Sequence, residues 1–216
     1  MADDLLEKTL CEGIEALGRP MPRRAAWTLG EFLRLLDKWN QTWNLTAVRD
    51  PLAMVPRHVL DSLSIRPWLA GSRVVDVGSG AGLPGIPLAI AEPAREFVLI
   101  DSAAKRTRFM TQAAAVLGLG NVRVVRIRAE DYRPDSGFDT VMSRAFASLA
   151  DFVTAAGHLC GKEGQMLAMK GQFPVDEIAG LPVSWQVSAS HALTVPGLAA
   201  QRHLLVLKQA PGKKGG

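Results

Sequence analysis

The sequence predicts an α/β protein built on a mostly parallel, seven-stranded sheet with helices on both faces. Short, nearly continuous apolar segments alternate with helical patterns from residue 73 onward, which is typical of parallel strands buried on both faces. Two apolar segments near the end have no helical pattern between them, which indicates an antiparallel pair at one edge of the sheet. The residues before the first strand show only helical patterns, so a helical extension precedes the sheet.

Three helices are predicted in this extension. The first carries apolar residues at three- and four-residue steps from Leu6 to Leu17, which gives it one apolar face. A second helical pattern runs from Trp27 to Trp39 and gives way to a polar loop over residues 40–46. Asp50-Pro51 then supplies a capping residue, followed by proline at the first position of the third helix.

Each predicted strand is a short apolar segment, and turns or helical patterns separate one strand from the next. The helices between strands are predicted at about 102–117 and 148–159. The last two strands are joined through a Pro196-Gly197 turn region, which favours antiparallel pairing. The seven predicted strands span residues 73–77, 96–100, 122–127, 138–142, 165–170, 184–188 and 202–208.

Composition excludes several classes of protein. No run of about 18 apolar residues is present, and the acidic first ten residues do not resemble a signal peptide. Two cysteines, Cys11 and Cys160, are too few for a disulfide framework or a cysteine-based zinc site. The four histidines show no metal-ligand spacing. We therefore expect a cytoplasmic protein with reduced cysteines, no membrane partner and no bound metal.

The charge balance is mildly basic, with 25 Lys and Arg against 21 Asp and Glu. A net charge of +4 permits an anionic macromolecular partner without requiring one, and a solvated basic surface explains it equally well. Lys213 and Lys214 belong to residues 211–216, which are expected to form a flexible tail.

The strongest local signal is the glycine-rich turn after the first strand, Asp76-Val77-Gly78-Ser79-Gly80-Ala81-Gly82. Glycine at every second position lets a ligand approach the backbone and allows a positive φ. A dinucleotide-binding turn would place its third glycine where this chain has Leu83, and no lysine of a phosphate-binding loop follows. The turn therefore fits a nucleoside with a zwitterionic tail, and a purely structural tight turn is the alternative.

Acidic residues at the ends of the next two strands support a nucleoside ligand. Asp101 lies 21 residues after Gly80, where a carboxylate can accept hydrogen bonds from both ribose hydroxyls. The third strand leads into Ala129-Glu130-Asp131, where an acid could receive the exocyclic amine of an adenine. Both positions have structural alternatives, since Asp101 could cap the following helix and the later acids could be solvated.

The glycine turn and these acids together resemble the class I S-adenosylmethionine-dependent methyltransferases, which have a Rossmann-like fold. In that fold the cofactor lies across the carboxyl edge of strands one to three, and an antiparallel pair ends the sheet. The resemblance implies that S-adenosylmethionine is the cofactor.

The residues after the fourth strand bear on the methyl acceptor. The Asn/Asp-Pro-Pro-aromatic turn of enzymes that methylate exocyclic amines is absent, and the chain has Ser143-Arg144-Ala145-Phe146 instead. Methylation of pyrimidine C5 needs a thiolate, and Cys160 is expected to be a packed core cysteine. A ring nitrogen with a free lone pair, such as guanine N7, needs no general base, so alignment alone can carry the reaction.

Three stretches resemble the bacterial small-subunit ribosomal RNA guanine-N7 methyltransferases, also known as glucose-inhibited division protein B. They are residues 43–46 with 58–63, the run Asp76–Pro87, and residues 143–146 with Lys170-Gly171. The resemblance extends over nearly the whole chain. It implies an enzyme that methylates N7 of guanine 527 (usual ribosomal RNA numbering) in 16S ribosomal RNA, either free or within the small ribosomal subunit.

The resemblance also implies roles for individual residues. Arg144 matches an arginine that the family places at the cofactor and the active site. Lys170 stands at the end of the fifth strand, where it is well placed to contact RNA or the base. The predicted catalytic residues are Arg144 and Lys170. The predicted cofactor-binding residues are Asp76, Gly78, Gly80, Leu83, Asp101, Ala129, Glu130 and Arg144.

Other polar and aromatic residues have two interpretations. His58 and Asp61 share one helical face and could point into the cleft, or they could form a buried pair that locks the helices onto the sheet. Trp39 and Trp43 could stack on a base, although core packing is favoured. A group of basic residues could meet RNA phosphates together, while each alone is more often solvated. They are Lys105, Arg106, Arg108, Arg123, Arg126 and Arg128.

These expectations divide the chain into a helical extension over 1–68, a cofactor-binding domain over 69–210 and a tail over 211–216. We expect a monomer. Two other functions stay open. A small-molecule methyltransferase would need a largely apolar lid over the cofactor, whereas a non-catalytic RNA-binding protein would keep only a degenerate cofactor fold.

Overall fold

The computed structural model describes residues 2–144 and 146–211. Within these residues a seven-stranded sheet forms the centre, so the predicted α/β fold class is confirmed. Most of the predicted tail, residues 212–216 with both of its lysines, lies outside the described residues. The strands are β1 (Arg73–Val77), β2 (Glu96–Asp101), β3 (Val122–Arg126), β4 (Phe138–Ser143), β5 (Cys160–Lys170), β6 (Trp185–Ala192) and β7 (His203–Gln209).

The strand order places a ligand crevice beside β1. The order is β3-β2-β1-β4-β5-β7-β6, with β1 to β5 parallel and β7 antiparallel to both β5 and β6. The predicted antiparallel pair is therefore confirmed. The chain moves outward from β1 to β3 and then returns to the other side of β1 with β4. In open α/β sheets, ligands bind at the carboxyl ends of the strands that flank such a switch point.

The helices cover both faces of the sheet. Within the described residues, no helix combines the length and apolar character needed to cross a membrane. The α-helices are α1 (Ala2–Ala16), α2 (Arg23–Trp43), α3 (Pro51–Met54), α4 (Asp61–Ser64), α5 (Gly85–Ala91), α6 (Ala104–Val116), α7 (Leu149–Ala156) and α8 (Val175–Ala179). Short 3₁₀ turns occupy Arg66–Trp68, Ala129–Asp131 and Gly157–Leu159.

The third predicted helix begins as expected but changes its winding. The Asp50 carboxylate accepts a hydrogen bond from the backbone N–H of Leu52 at 3.0 Å, and Pro51 occupies the first helical position. A π-helical turn, Val55–Leu60, then separates α3 from α4. Wider turns of this kind are frequent at functional sites.

The predicted polar loop at 40–46 starts later than expected, because α2 continues through Trp43. Asn40 is 1% exposed, and its amide binds residues beyond the helix end. Its Nδ2 donates to the Val48 carbonyl at 3.1 Å, and its Oδ1 accepts from the Thr46 N–H at 2.9 Å. Asn40, which was predicted to lie in a loop, is therefore a buried helical residue that holds the following segment in place.

Two further differences from the predicted fold concern the start of β5 and a helix that packs on the sheet. β5 begins at Cys160 rather than at the predicted 165, and its pairing with β4 contains an irregularity near Phe138. Residues 161–164 are therefore part of an irregular strand. α5, which follows the glycine turn, was not predicted from the sequence, because its seven residues are nearly all apolar and show no helical period.

The core consists of two apolar clusters, one on each face of the sheet. Val74 belongs to the cluster that includes the N-terminal helices, whereas Val75 and Val77 belong to the cluster under α7. Side chains alternate along a strand, so Asp76 points to the same face as Val74, towards α5. This alternation places a carboxylate inside the core directly beneath the glycine turn.

Replacing Gly85 by alanine is expected to destabilise the fold by roughly 1–3 kcal/mol, the usual cost of overpacking. A Cβ at Gly85 would lie 2.2 Å from Leu99 Cδ2 and 2.8 Å from Asp76 Oδ2, so α5 would have to move away from the sheet. Urea unfolding measures the effect. Gly120→Ala is the matched control, because no described atom lies within 4 Å of a Cβ there. Equal stability of the two variants would contradict the close approach of α5.

Candidate active site

The glycine turn joins the carboxyl ends of β1 and β2. Gly78 and Ser79 both donate their backbone N–H groups to the Ile100 carbonyl, at 2.9 and 3.1 Å. Gly78 has a φ of +71° and Gly80 a φ of +58°, a region that favours glycine over side-chain-bearing residues. The turn is therefore tied to the neighbouring strand while its backbone follows a path that glycine makes possible.

The glycines of the turn serve different purposes. A Cβ at Gly82 would lie 2.4 Å from Ile86 Cδ1, so this glycine allows α5 to pack closely. A Cβ at Gly80 would meet nothing closer than the Gly78 carbonyl oxygen at 4.0 Å. Gly80 thus borders open space, as a ligand that approaches the backbone requires. Leu83, also predicted to bind cofactor, is 4% exposed and belongs to the core.

Asp101 stands at the end of β2 as predicted, but its carboxylate faces the protein's own backbone. Oδ2 accepts from the Gly80 N–H at 3.0 Å, and Oδ1 accepts from the Ala103 N–H at 2.8 Å. Arg106 Nη1 lies 3.3 Å from Oδ2, and Asp101 as a whole is 4% exposed. The carboxylate therefore holds the glycine turn and the start of α6. Contact with ribose hydroxyls stays a prediction.

Asp76 is a fully buried carboxyl group directly under the turn. Its Oδ2 accepts from the Gly85 N–H at 2.9 Å, while Oδ1 meets no hydrogen-bond partner among the described residues. Burial raises the pKa of Asp76 from 3.8 to about 7, and the Gly85 N–H and the charge of Arg144 only partly oppose this. A nearby cation would favour the ionised form of this group.

The turn after β3 lies at the edge of the sheet where the cofactor is predicted to bind. Ala129 and Glu130 lie in the 3₁₀ turn that follows β3, with Ala129 buried at 8% exposure and Glu130 exposed. Both lie at the same edge of the sheet as the glycine turn and Asp101. The topology therefore brings these segments to one edge of the sheet, and the cofactor contacts of the individual residues stay predictions.

A cavity of about 540 Å³ lies beside this edge, where β4 and β5 end. Asp61 at its wall is 1% exposed and binds two arginines from distant parts of the chain. Arg144 Nη1 lies 3.1 Å from Asp61 Oδ2, and Arg202 Nε lies 2.9 Å from Asp61 Oδ1. The lining residues are Val48, Arg57, His58, Asp61, Arg144, Met169, Lys170, Gly171, Leu198, Ala200 and Arg202.

His58 also lines the cavity, and its ring is neutral at physiological pH. Burial lowers the pKa of His58 to about 4; the Arg57 backbone opposes this, and the Arg144 charge acts with burial. Nε2 lies 2.8 Å from Thr46 Oγ1, and Nδ1 meets no partner of hydrogen-bond geometry within the described chain. His58 and Asp61 thus share the cavity wall, but their hydrogen bonds go to different partners.

Asp76→Asn is expected to change how the stability of the cofactor-free protein depends on pH. Because folding raises the pKa of Asp76, the carboxyl stabilises the fold below about pH 4, and this contribution is lost as pH rises through about 7. A shift of this size corresponds to about 4 kcal/mol. Relative to wild type, the variant should therefore gain about that much stability between pH 4 and pH 8.

Urea unfolding at several pH values measures this difference. His58 works in the opposite direction, because its lowered pKa gives stability above about pH 6.5 that is lost as pH falls towards 4. Taking the difference between variant and wild type removes the His58 contribution, which both proteins share. A difference that stays constant from pH 4 to pH 8 would contradict the raised pKa of Asp76.

Lys170 reaches the cavity, but its ammonium group is engaged by the protein. Nζ lies 2.8 Å from Glu177 Oε2 and donates to the carbonyls of Phe146 and Ala147, both at 3.2 Å. An ammonium group has three protons, and these three contacts account for them. The geometry therefore favours a role for Lys170 in holding the segment after Arg144, and its predicted catalytic role stays untested.

The described side chains bear on thiolate and metal chemistry. Cys160 is buried in the core as predicted, and burial raises the pKa of its thiol to about 11. It is therefore protonated at neutral pH and does not supply the thiolate that pyrimidine C5 methylation needs. In the part of the chain that is described, no three His, Cys, Asp or Glu side chains are grouped to hold a metal ion.

The predicted basic group lies on the surface at the β2–β3 side of the sheet. Some members also make local contacts: Arg106 approaches Asp101, and Lys105 Nζ lies 3.4 Å from the Trp43 carbonyl. Trp39 packs edge-on against Phe109 with ring centres 5.6 Å apart, which confirms its core role, whereas Trp43 is 44% exposed. The exposed basic residues are Lys105, Arg106, Arg108, Arg123, Arg126 and Arg128.

Sequence reasoning missed Arg202, although a signal was available. The last strand was predicted to run antiparallel, so its first residue lies at the edge where the parallel strands end. The observed register pairs Lys170 with His203, the residue after Arg202. Combining the predicted direction of the last strand with the predicted site at the end of the fifth would have placed Arg202 there.

Comparisons with known proteins match this architecture over almost the whole chain. Residues 26–205 match the model of the GidB family, described as rRNA small subunit methyltransferase G. The chain is 53% identical to the ribosomal RNA small subunit methyltransferase G of Nitrosococcus oceani, covering 95% of this chain and 96% of that one. It is 51% identical to the protein of the same name from Marinobacter nauticus, with coverage of 93% and 94%.

Solved structures with lower sequence identity share the fold. The O-methyltransferase TomG from Streptomyces achromogenes, solved in complex with SAM, is 18% identical with a TM-score of 0.57; the match covers 83% of this chain and 90% of that one. A ribosomal protein L11 methylase from Lactobacillus delbrueckii subsp. bulgaricus is also 18% identical, with a TM-score of 0.55 and coverage of 70% and 77%. The predicted Rossmann-like methyltransferase fold is confirmed.

Proposed function

The chain belongs to the GidB family of small-subunit ribosomal RNA methyltransferases, and we propose that it transfers the methyl group of S-adenosylmethionine to N7 of guanine 527 in 16S ribosomal RNA. One observation carries the proposal. The open glycine turn follows β1, and the arginine-lined cavity lies where the neighbouring β4 and β5 end, on the other side of the switch point. This arrangement can hold a nucleoside cofactor beside an anionic substrate.

The residues at the turn fit the cofactor. Gly80 leaves space for a ligand against the backbone, and Asp101 fixes the turn in that shape. A cationic ligand above the turn would favour the ionised form of Asp76, whose pKa is about 7, and the resulting negative charge would attract the ammonium and sulfonium groups. Bound S-adenosylmethionine supplies the activated methyl group. Leu83, Ala129 and Glu130 complete the proposed binding site.

Methylation of guanine N7 mainly requires the protein to align N7 with the methyl group. Guanine N7 carries a lone pair and no proton, so an in-line approach to the methyl group needs no general base. The lowered pKa of His58, about 4, makes its ring a weak base, which is consistent with a reaction that removes no proton. We assign contact with the substrate to Arg144 and positioning of the segment after it to Lys170.

The same cavity argues against the two other functions. A small-molecule methyltransferase would enclose its substrate under a largely apolar lid, whereas this cavity is lined by four cationic side chains: Arg57, Arg144, Lys170 and Arg202. A non-catalytic RNA-binding protein has no need for open space at Gly80 or for a buried carboxyl under the turn.

We further propose that the helical extension over 1–68 is part of the active site. Arg57, His58 and Asp61 come from the extension and line the cavity together with residues of the cofactor-binding domain over 69–210. Phe32 of α2 lies in the same apolar cluster as Leu99 of β2. We propose that the enzyme acts in the cytoplasm, where ribosomal RNA in the small subunit is its substrate, as a monomer without a metal.

The test of the function is methyl transfer to a defined position. Small ribosomal subunits that lack the modification are incubated with the protein and labelled S-adenosylmethionine. Label is expected at N7 of guanine 527, and its absence there would reject the proposal. Calorimetry with S-adenosylmethionine separates the non-catalytic alternative, for which no binding at micromolar concentration is expected.

A further inference from the structure

We propose that Arg202 is a substrate-binding residue that, together with Arg144, holds a phosphate group of the ribosomal RNA, and that Asp61 is the positioning residue for both arginines. This inference rests on the proposed function and deepens it, because it names the residues that hold the acceptor nucleotide. No motif in the sequence indicated Arg202.

The geometry of the three side chains supports a fixed pair of cations. Asp61 is 1% exposed, and each of its oxygens is bound by a different guanidinium group, at 2.9 Å from Arg202 and 3.1 Å from Arg144. A buried carboxylate is difficult to leave unpaired, so it restricts both arginines much more than a surface ion pair would. The three residues come from α4, from the residue after β4 and from the residue before β7, and they meet only in the folded chain.

Both arginines keep donors for a ligand. A guanidinium group has five N–H donors, and Arg202 uses Nε for Asp61 and Nη1 for the Gln201 carbonyl at 2.8 Å. The side chains of Arg202 and Arg144 are 24% and 30% exposed, at the wall of the cavity. Arg57 adds a further positive charge, whereas that of Lys170 is paired with Glu177, and among the described lining residues Asp61 is the one acid. The cavity therefore suits an anionic group.

The chemistry of the methyl acceptor indicates whether these arginines bind the base or a phosphate. Arginine that recognises guanine typically binds O6 and N7 together. N7 has to remain free for methylation, so an arginine in that position would block the reaction. RNA offers one phosphate per nucleotide, and arginine binds phosphate through two parallel hydrogen bonds. A cavity of about 540 Å³ lies in the range of sites for small ligands and can accept a single nucleotide.

The test compares guanosine 5′-monophosphate with guanosine as ligands of the full-length protein, by NMR titration. The wild type is expected to bind the monophosphate about tenfold more tightly, the size of a charge-assisted contact. Arg202→Ala should lose most of this preference, and Arg202→Lys should keep part of it, because lysine retains the charge without the planar fork. Arg19→Ala, which removes an exposed arginine outside the cavity, is the matched control and should keep the full preference.

Kinetics with unmodified small ribosomal subunits provide a second measurement. Arg202→Ala should raise the KM for the subunits about tenfold and change kcat by less than about twofold. Asp61→Asn should also raise this KM, but its effect should shrink when Arg202 is already alanine. A merely structural Asp61 would give the same added loss in both backgrounds.

The outcomes separate this inference from the proposed function. Absence of label at the guanine with wild-type protein rejects the function. Equal binding of guanosine and its monophosphate by the wild type, or an unchanged preference in Arg202→Ala, overturns the phosphate contact. If Arg202→Ala does not fold, Arg202→Lys decides, since an unchanged preference and an unchanged KM in that variant also overturn the inference. Fully additive losses overturn the positioning role of Asp61.

Discussion

Replacing Gly80 by valine is expected to lower the affinity for S-adenosylmethionine at least about 100-fold, equivalent to about 2.7 kcal/mol of binding free energy. A side chain at Gly80 would enter the open space above the turn, where the nearest described atom is 4.0 Å from a Cβ. The proposed cofactor occupies that space, so the valine methyl groups would exclude it. Calorimetric titration of the purified variant with S-adenosylmethionine measures the loss.

The control has to share the backbone strain of the variant, because Gly80 has a φ of +58°. Gly118 provides it. Its φ is +65°, and no described atom lies within 4 Å of a Cβ there, but it follows α6 at the opposite edge of the sheet. Gly118→Val should lose similar stability and keep cofactor affinity. Full affinity in Gly80→Val, or equal losses of affinity in both variants, would place the cofactor elsewhere.

The glycine motif alone does not show which of its glycines borders the ligand site. The sequence shows glycine at positions 78, 80 and 82 without ranking them. Gly78 and Gly80 both have a positive φ, +71° and +58°, so a valine is strained at either position. Gly82 serves packing against Ile86. Only the positions of neighbouring atoms distinguish these roles.

The fold was predictable because its signals are local. Apolar segments, breaks between them and the missing helix before the last strand are all visible within short windows of sequence, and each predicted strand is present. Asp101 shows the limit of that reasoning. Its interval from the glycine turn was identified correctly, but the sequence could not show that Gly80 and Ala103 already occupy its oxygens.

The cavity was less predictable because it depends on long-range contacts. Asp61 and Arg202 are 141 positions apart, and only sheet order and register bring them together. His58 and Asp61 were expected either to face the cleft or to be buried, and the structure shows both conditions at once. Both residues are buried and also line the cavity. The spacing of residues in the sequence cannot show that one side chain does both.

Replacing Arg144 by alanine is expected to lower kcat/KM for unmodified small ribosomal subunits about 100-fold, within the roughly 2–5 kcal/mol typical of truncating one member of a buried charge pair. Arg144 directly follows β4, next to the end of β1, so its side chain lies between the proposed cofactor and acceptor sites. Its loss removes a cation from the cavity and leaves Asp61 with Arg202 alone. Initial rates of label transfer measure the effect.

Two further variants show whether this effect belongs to the site. Arg144→Lys keeps the charge but loses the planar fork, so it should recover only part of the activity. Arg73→Ala removes a half-buried arginine at the other end of β1, where it packs 4.9 Å from the centre of the Phe138 ring. That variant should lose stability and keep kcat/KM within about twofold. Normal turnover in Arg144→Ala would remove the arginine from the active site.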